Sequence, residues 1–197
     1  MTESFELLNR QIAPLVRMQF NRDGDRWAHQ IYLSMGASEQ PLMRSLEGTA
    51  DQIWPPSPPL QDVGRHELPT GDAILCVGMA GSSHWSASFS VEAGVKVGEN
   101  GLIKSDIACL TKKLTGDRAL GSSYRLSSDV RPTLVSKIHA EFGIGSERVV
   151  VIKAIDGDGF STVLTIEDGV FCAAPEQIVD DAKVATRWGF EIGIRLN

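Results

Sequence analysis

From Trp188 to Leu196 the chain alternates without a break. Trp188, Phe190, Ile192, Ile194 and Leu196 are apolar, while Gly189, Glu191, Gly193 and Arg195 between them are small or charged. Successive side chains of an extended strand point to opposite sides. This period of two therefore builds a strand with one buried and one open face, and it does not fit a helix. The same alternation occupies 84–91, with Trp85, Ala87, Phe89 and Val91 on one side and His84, Ser86, Ser88 and Ser90 on the other. One apolar face and one polar face are the pattern of an antiparallel sheet.

Weaker signals extend the reading. Trp27, His29, Ile31 and Leu33 alternate as a strand, and Pro41 to Gly48 pairs with it across Gly36-Ala37-Ser38. Residues 73–79, 102–110, 121–126 and 170–173 read as further strands. Segments 149–155 and 162–166 read as a hairpin across Asp156-Gly157-Asp158-Gly159, whose residue types favour positive φ. Three segments read as helices. Ser4 caps the first, with Phe5, Leu8, Ile12 and Leu15 at helical spacing and a break at Pro14. Asp129 caps the second, with Leu134, Ile138 and Phe142 four apart and Gly143 as its stop. Pro175 opens the third, which runs through Ala185. Strands in runs, not in strict alternation with helices, give an α+β expectation. The expected fold is mainly an antiparallel sheet, with an N-terminal helix and two further helices packed on one face.

A chain of 197 residues suits a single globular domain over 1–197. Trp54-Pro55-Pro56-Ser57-Pro58-Pro59-Leu60 is extended polyproline, and its terminal Trp54 and Leu60 mark it as a strap packed over the core, not a free linker. No apolar run approaches the roughly 20 residues of a membrane-spanning helix. The net charge of −6 repels phosphate backbones, so neither nucleic acid nor membrane is an expected partner. The first residues are acidic and lack a signal-peptide pattern. Cys76, Cys109 and Cys172 sit among apolar neighbours as reduced thiols, and the expected location is the cytoplasm.

Familiar catalytic patterns are missing. Gly78-Met79-Ala80-Gly81-Ser82-Ser83 follows an apolar stretch as phosphate loops do, but a strand follows it where the helix should be. Ser82, Ser83 and His84 lack a nucleophile elbow, and neighbours on a strand point to opposite faces. His29, His66, His84 and His139 stand apart, with no metal-ligand spacing. Asp156, Asp158 and Glu167 mimic a calcium loop, but Ser161 occupies the position that requires glycine. No metal and no cofactor is therefore expected. The row from His84 through Ser86 is the best candidate surface. Lys104, Asp106, Tyr124 and Arg125 are the polar groups set deepest in apolar strands. Together with His84, Trp85 and Ser86 they form the expected ligand-binding set.

Three strings, Trp54 to Gln61, Gly81-Ser82-Ser83-His84-Trp85-Ser86, and Asp106-Ile107-Ala108-Cys109 followed by Leu120 to Leu126, carry a resemblance across the middle third of the chain. It resembles uncharacterised bacterial proteins with a domain of unknown function, in which a Val-Ala-Cys strand precedes a Tyr-Arg strand. Ile107 stands here at the valine position. That likeness implies no chemistry.

The expected function is a non-catalytic module binding a small molecule or a protein. The alternative is a small-molecule hydrolase or transferase using His84 as base with Asp106 or Arg125, which requires these groups to converge. A third expectation is a homo-oligomer joined through the apolar C-terminal strand as a free edge.

Overall fold

The computed structural model describes residues 4–8, 15–35, 38–49, 51–69, 71–91, 103–112, 119–144 and 148–196. Among them every regular element is a strand. In chain order they are β1 (Ser4–Leu8), β2 (Leu15–Asp23), β3 (Arg26–Met35), β4 (Ser38–Ser45), β5 (Asp62–Leu68), β6 (Gly71–Ala80), β7 (Ser83–Ser90) and β8 (Ile103–Thr111). They continue as β9 (Ser122–Leu126), β10 (Arg131–Ser136), β11 (His139–Ile144), β12 (Arg148–Ala154), β13 (Thr162–Glu167), β14 (Val170–Pro175) and β15 (Thr186–Leu196). All pair antiparallel in two sheets. One has seven strands in the order β1-β2-β3-β4-β9-β14-β13, and the other has eight in the order β10-β11-β12-β15-β8-β7-β6-β5.

The two sheets share one apolar interior because the alternation in each supplies one apolar face. Val16, Met18 and Phe20 of β2 point in, as do Trp85, Ala87 and Phe89 of β7 and Trp188, Phe190 and Ile192 of β15. Rings from opposite sheets interlock edge to face. Phe20 meets Phe89 at 5.4 Å, Tyr124 meets Phe190 at 5.9 Å, and Phe171 meets Phe142 at 5.6 Å between centroids. Such pairs contribute about 0.5–1.5 kcal/mol each beyond their buried area. Polar ties cross the same interior. Trp188 Nε1 donates to Ser122 Oγ at 3.0 Å, and the Gly189 amide donates to Thr162 Oγ1 at 3.0 Å.

The α+β expectation with three helices is overturned, since the described residues form two antiparallel sheets with no helix. The Leu134, Ile138, Phe142 spacing arises from different sources. Leu134 is on edge strand β10, Ile138 is in the turn, and only Phe142 is buried. Pro132 and the β-branched Thr133 and Val135 also suit an edge strand better than a helix. At the N-terminus, Ser4–Leu8 is a strand paired with β2, with Leu7 buried; the rest of the expected helix, residues 9–14, lies outside the described residues. Pro175 ends β14 instead of opening a helix. The following loop is held by turn bonds, with Asp181 Oδ1 accepting from the Lys183 amide (2.8 Å) and its carbonyl from the Val184 amide (3.1 Å). Aspartate side chains compete for backbone donors in this way and oppose helix formation. No helix among the described residues is long and apolar enough to cross a membrane.

Two further expectations change. Segments β12 and β13 exist but do not pair, because β12 lies between β11 and β15 while β13 edges the other sheet. Asp156 to Gly159 is thus a crossover between sheets. The tight hairpin is instead β13–β14, where Asp168 and Gly169 both take positive φ (49° and 72°), as a two-residue type I′ turn requires. The C-terminal strand β15 lies in the middle of its sheet, between β12 and β8, and is no free edge.

The proline strap joins the sheets. Pro55, Ser57, Pro58, Pro59 and Leu60 are buried. Ser57 Oγ accepts from the Ser123 amide (3.0 Å) and donates to the Ser123 carbonyl (2.9 Å). The Trp27 amide donates to the Leu60 carbonyl at 2.7 Å, and Trp27 Nε1 to the Gln61 carbonyl at 3.2 Å. Polyproline carries few donors of its own, so its carbonyls are served by donors from β3 and β9. At Gly78 the strap passes so close that a Cβ would lie 1.5 Å from the Pro59 carbonyl oxygen. Gly78→Ala is expected to destabilise the fold by at least about 2 kcal/mol through overpacking against backbone. In urea unfolding, Gly64→Ala on edge strand β5, whose nearest obstacle is the exposed His66 ring at 3.4 Å, serves as a near-neutral control. Equal midpoints for both variants would contradict the strap's seating.

Candidate functional site

Strand register maps the outer face of the eight-stranded sheet as a lattice. One row across the strands reads Asp62, Val77, Ser86, Ala108, Arg187 from β5 to β15. The row on one side of it reads Met79, His84, Leu110. On the other side lie Gly64, Leu75, Ser88, Asp106 and Gly189. Neighbouring strands are about 4.8 Å apart and successive rows about 6.8 Å apart.

A shallow groove of about 400 Å3 opens in this face. Its lining mixes Val77, Met79, Ala108, Leu110 and Ala185 with the polar Gln61, Asp62, His84 and Ser86. Small side chains at Ser86 and Ala108 make it concave, between Gln61–Asp62 at the strap's end and Ala185 in the loop before β15. Gln61 stiffens one wall, because its Oε1 accepts from the Met79 backbone N–H at 3.0 Å and its backbone N–H donates to the Val77 carbonyl at 2.9 Å. Val77 is 51% and Met79 48% exposed, although both lie within a sheet.

Of the expected site residues, His84, Trp85 and Ser86 line this groove. The Trp85 side chain is otherwise in the core, meeting Trp188 edge to face at 6.0 Å. Asp106 and Lys104 share the face but lie two and three rows from His84, which separates Asp106 from His84 by roughly 14 Å. Asp106 is committed instead to Arg187 at 2.7 Å. Tyr124 and Arg125 belong to β9 of the other sheet. Tyr124 is buried between the sheets, and Arg125 Nη1 donates to the Asp168 carbonyl at 3.0 Å at the β13–β14 turn. The structure thus assembles three of the seven residues and disperses the other four.

Sequence reading missed Gln61, Asp62, Val77, Met79, Ala108, Leu110 and Ala185. Period-two polarity places outward residues on one face, but only strand order shows which of them are neighbours. A second cleft, of about 350 Å3, lies between Gly157–Ser161 and Glu176–Val179.

The groups whose protonation the fold perturbs most lie in the interior, away from the groove. His29 shares a 2.9 Å hydrogen bond with the Tyr124 hydroxyl, and burial holds its pKa down to about 3. Burial likewise pushes the Tyr124 phenol well above its ordinary value, so the pair is neutral. The His29 amide donates to Ser45 Oγ at 2.8 Å, and Ser45 donates to Glu47 Oε1 at 2.5 Å. Burial raises the Glu47 carboxyl to about 7, against the opposing pull of Ser45, Arg26 and Arg44. Arg26 is itself buried and donates to the Thr49 carbonyl at 2.8 Å, which pins the loop that carries Glu47. Among the described residues no group of histidine, cysteine and carboxylate side chains has metal-binding geometry. Comparisons with protein-family models, curated proteins and solved structures find no match to this chain.

These two interior groups give opposite pH dependences. His29 takes a proton in the unfolded chain near pH 6.5 but in the folded chain only near 3, so stability is lost as pH falls from 6.5 to 3. Glu47 keeps its proton to about pH 7 when folded but only to 4.5 when unfolded. Its contribution is therefore full below pH 4.5 and lost as pH rises to 7. Glu47→Gln is expected to match the parent in urea unfolding near pH 4.5 and to exceed it at pH 8 by on the order of 3 kcal/mol. A constant difference at both pH values would contradict the buried, raised carboxyl.

Proposed function

We propose that this chain is a non-catalytic binding module whose ligand or protein partner docks on the outer face of the eight-stranded sheet, centred on the His84–Ser86 groove. The observation that carries this reading is the run of Leu75, Val77 and Met79, each 40–51% exposed on a strand otherwise fully paired, beside a concave polar floor. Grouped apolar side chains in water mark contact surfaces, and pockets of a few hundred Å3 with apolar walls and a few polar groups fit small ligands. The hydrolase or transferase alternative draws no support from the geometry, since Asp106 and Arg125 stand away from His84. Three free cysteines, with Cys76 raised to about 12 by burial, support a reducing compartment such as the cytoplasm.

A fragment library followed by amide chemical shifts tests the reading. Shifts are expected first at Val77, Met79, Ser86 and Ala108. Ala108→Trp, which fills the groove floor, is expected to abolish them while the melting temperature moves by less than about 3 °C. Hits gathered in the Gly157–Val179 cleft, or scattered over the surface, would remove the proposed site.

A further inference from the structure

The same outer face carries a ridge and a channel side by side. Leu75, Val77 and Met79 project from β6, while the adjoining strand β7 presents only Ser88 and Ser86, followed by His84, at the matching positions. Ridge and channel run parallel, one strand spacing apart, with equal steps along the strands. Over the Leu75 and Val77 rows a surface of this form is complementary to itself. A two-fold axis along the strands, midway between β6 and β7, lays Val77 of each copy over Ser86 of the other and Leu75 over Ser88.

We infer that this face binds a second copy of the chain in a symmetric face-to-face dimer. The inference rests on the binding face proposed above and names its partner. An isologous contact needs each patch to accept itself, which a single ridge beside a single channel does. Sheets stack at about 10 Å, with strand directions within about 30°, and the axis preserves both conditions. Charge does not oppose this arrangement. The same operation sets Asp62 of one copy above Ala108 of the other, one strand from Arg187, whose Nη2 also holds Asp106 at 2.7 Å. Between these charged margins the ridge and channel positions carry no acidic or lysine and arginine side chain. The strip from β5 to β8 offers a footprint of roughly 500 Å2 per copy. That is near the lower limit for a specific interface, so the dimer is reversible and concentration-dependent.

Sedimentation velocity on the full chain, from about 5 µM to about 1 mM, tests this. The mean mass is expected to climb toward twice the monomer's as concentration rises. Val77→Asp, at a half-exposed position, is expected to weaken self-association at least tenfold without lowering the melting temperature. Asp62→Lys is expected to weaken it severalfold at low salt. A strict monomer at the highest concentration would overturn the inference, as would a Val77→Asp protein that dimerises like the parent. Fragment shifts at Val77 and Ser86 from a strict monomer would keep the binding face and remove only the second copy.

Discussion

Side chains on β7, β8 and β15 alternate so strictly that the register of these strands tolerates no slip. Shifting β7 by one residue would carry His84, Ser86 and Ser88 into the interior and place Trp85, Ala87 and Phe89 in water. The two rings alone bury roughly 150–250 Å2 each, worth several kcal/mol at about 25 cal/mol per Å2. The interior therefore fixes the register, and the register fixes the outer lattice. Ser86 adjoins Val77 and Ala108 because Trp85 must meet Trp188 on the inside. The groove is a consequence of packing on the opposite side of the same strands.

The seven-stranded sheet closes the interior from the other side, and the connections between the sheets make the arrangement specific. The strap lies in the connection from β4 to β5, with Ser57 fastened to β9 and Pro59 seated on Gly78. Gln61, the residue that follows the strap, forms a wall of the groove. At the opposite margin, Thr162 Oγ1 donates to the Ile155 carbonyl at 2.9 Å and accepts from Gly189, which ties the β12–β13 crossover to β15. Edge strand β10 is protected against casual pairing by Pro132 and by a bulge between Leu134 and Ser136.

Legibility in the sequence followed the strength of the period. Strands with one apolar and one polar face, such as 84–90 and 188–196, were readable, because alternation of that length has no helical counterpart. The segment 131–142 was not, because a turn residue (Ile138) and an exposed edge residue (Leu134) happen to be apolar four apart, and local spacing cannot register exposure. Asp156 to Gly159 has the composition of a hairpin turn, yet the sheet to which each flanking strand belongs is decided by distant partners. The same limit governed the site. His84 and Ser86 could be placed on a polar face, but Tyr124 and Arg125 alternate just as plausibly and lie on the other sheet. Only long-range strand order separates them. The interior His29–Tyr124 bond had no local signature at all, as 95 residues separate its partners.

Cross-strand nuclear Overhauser contacts measure that order most directly. The fold requires Ser86 to contact both Val77 and Ala108, Gly189 to contact Asp106, and Leu134 to contact Ala140 across the β10–β11 turn. Contacts displaced by one residue between β7 and its neighbours would exchange the inner and outer faces. A helical series of short-range contacts from Arg131 to Phe142 would contradict the two-sheet architecture itself.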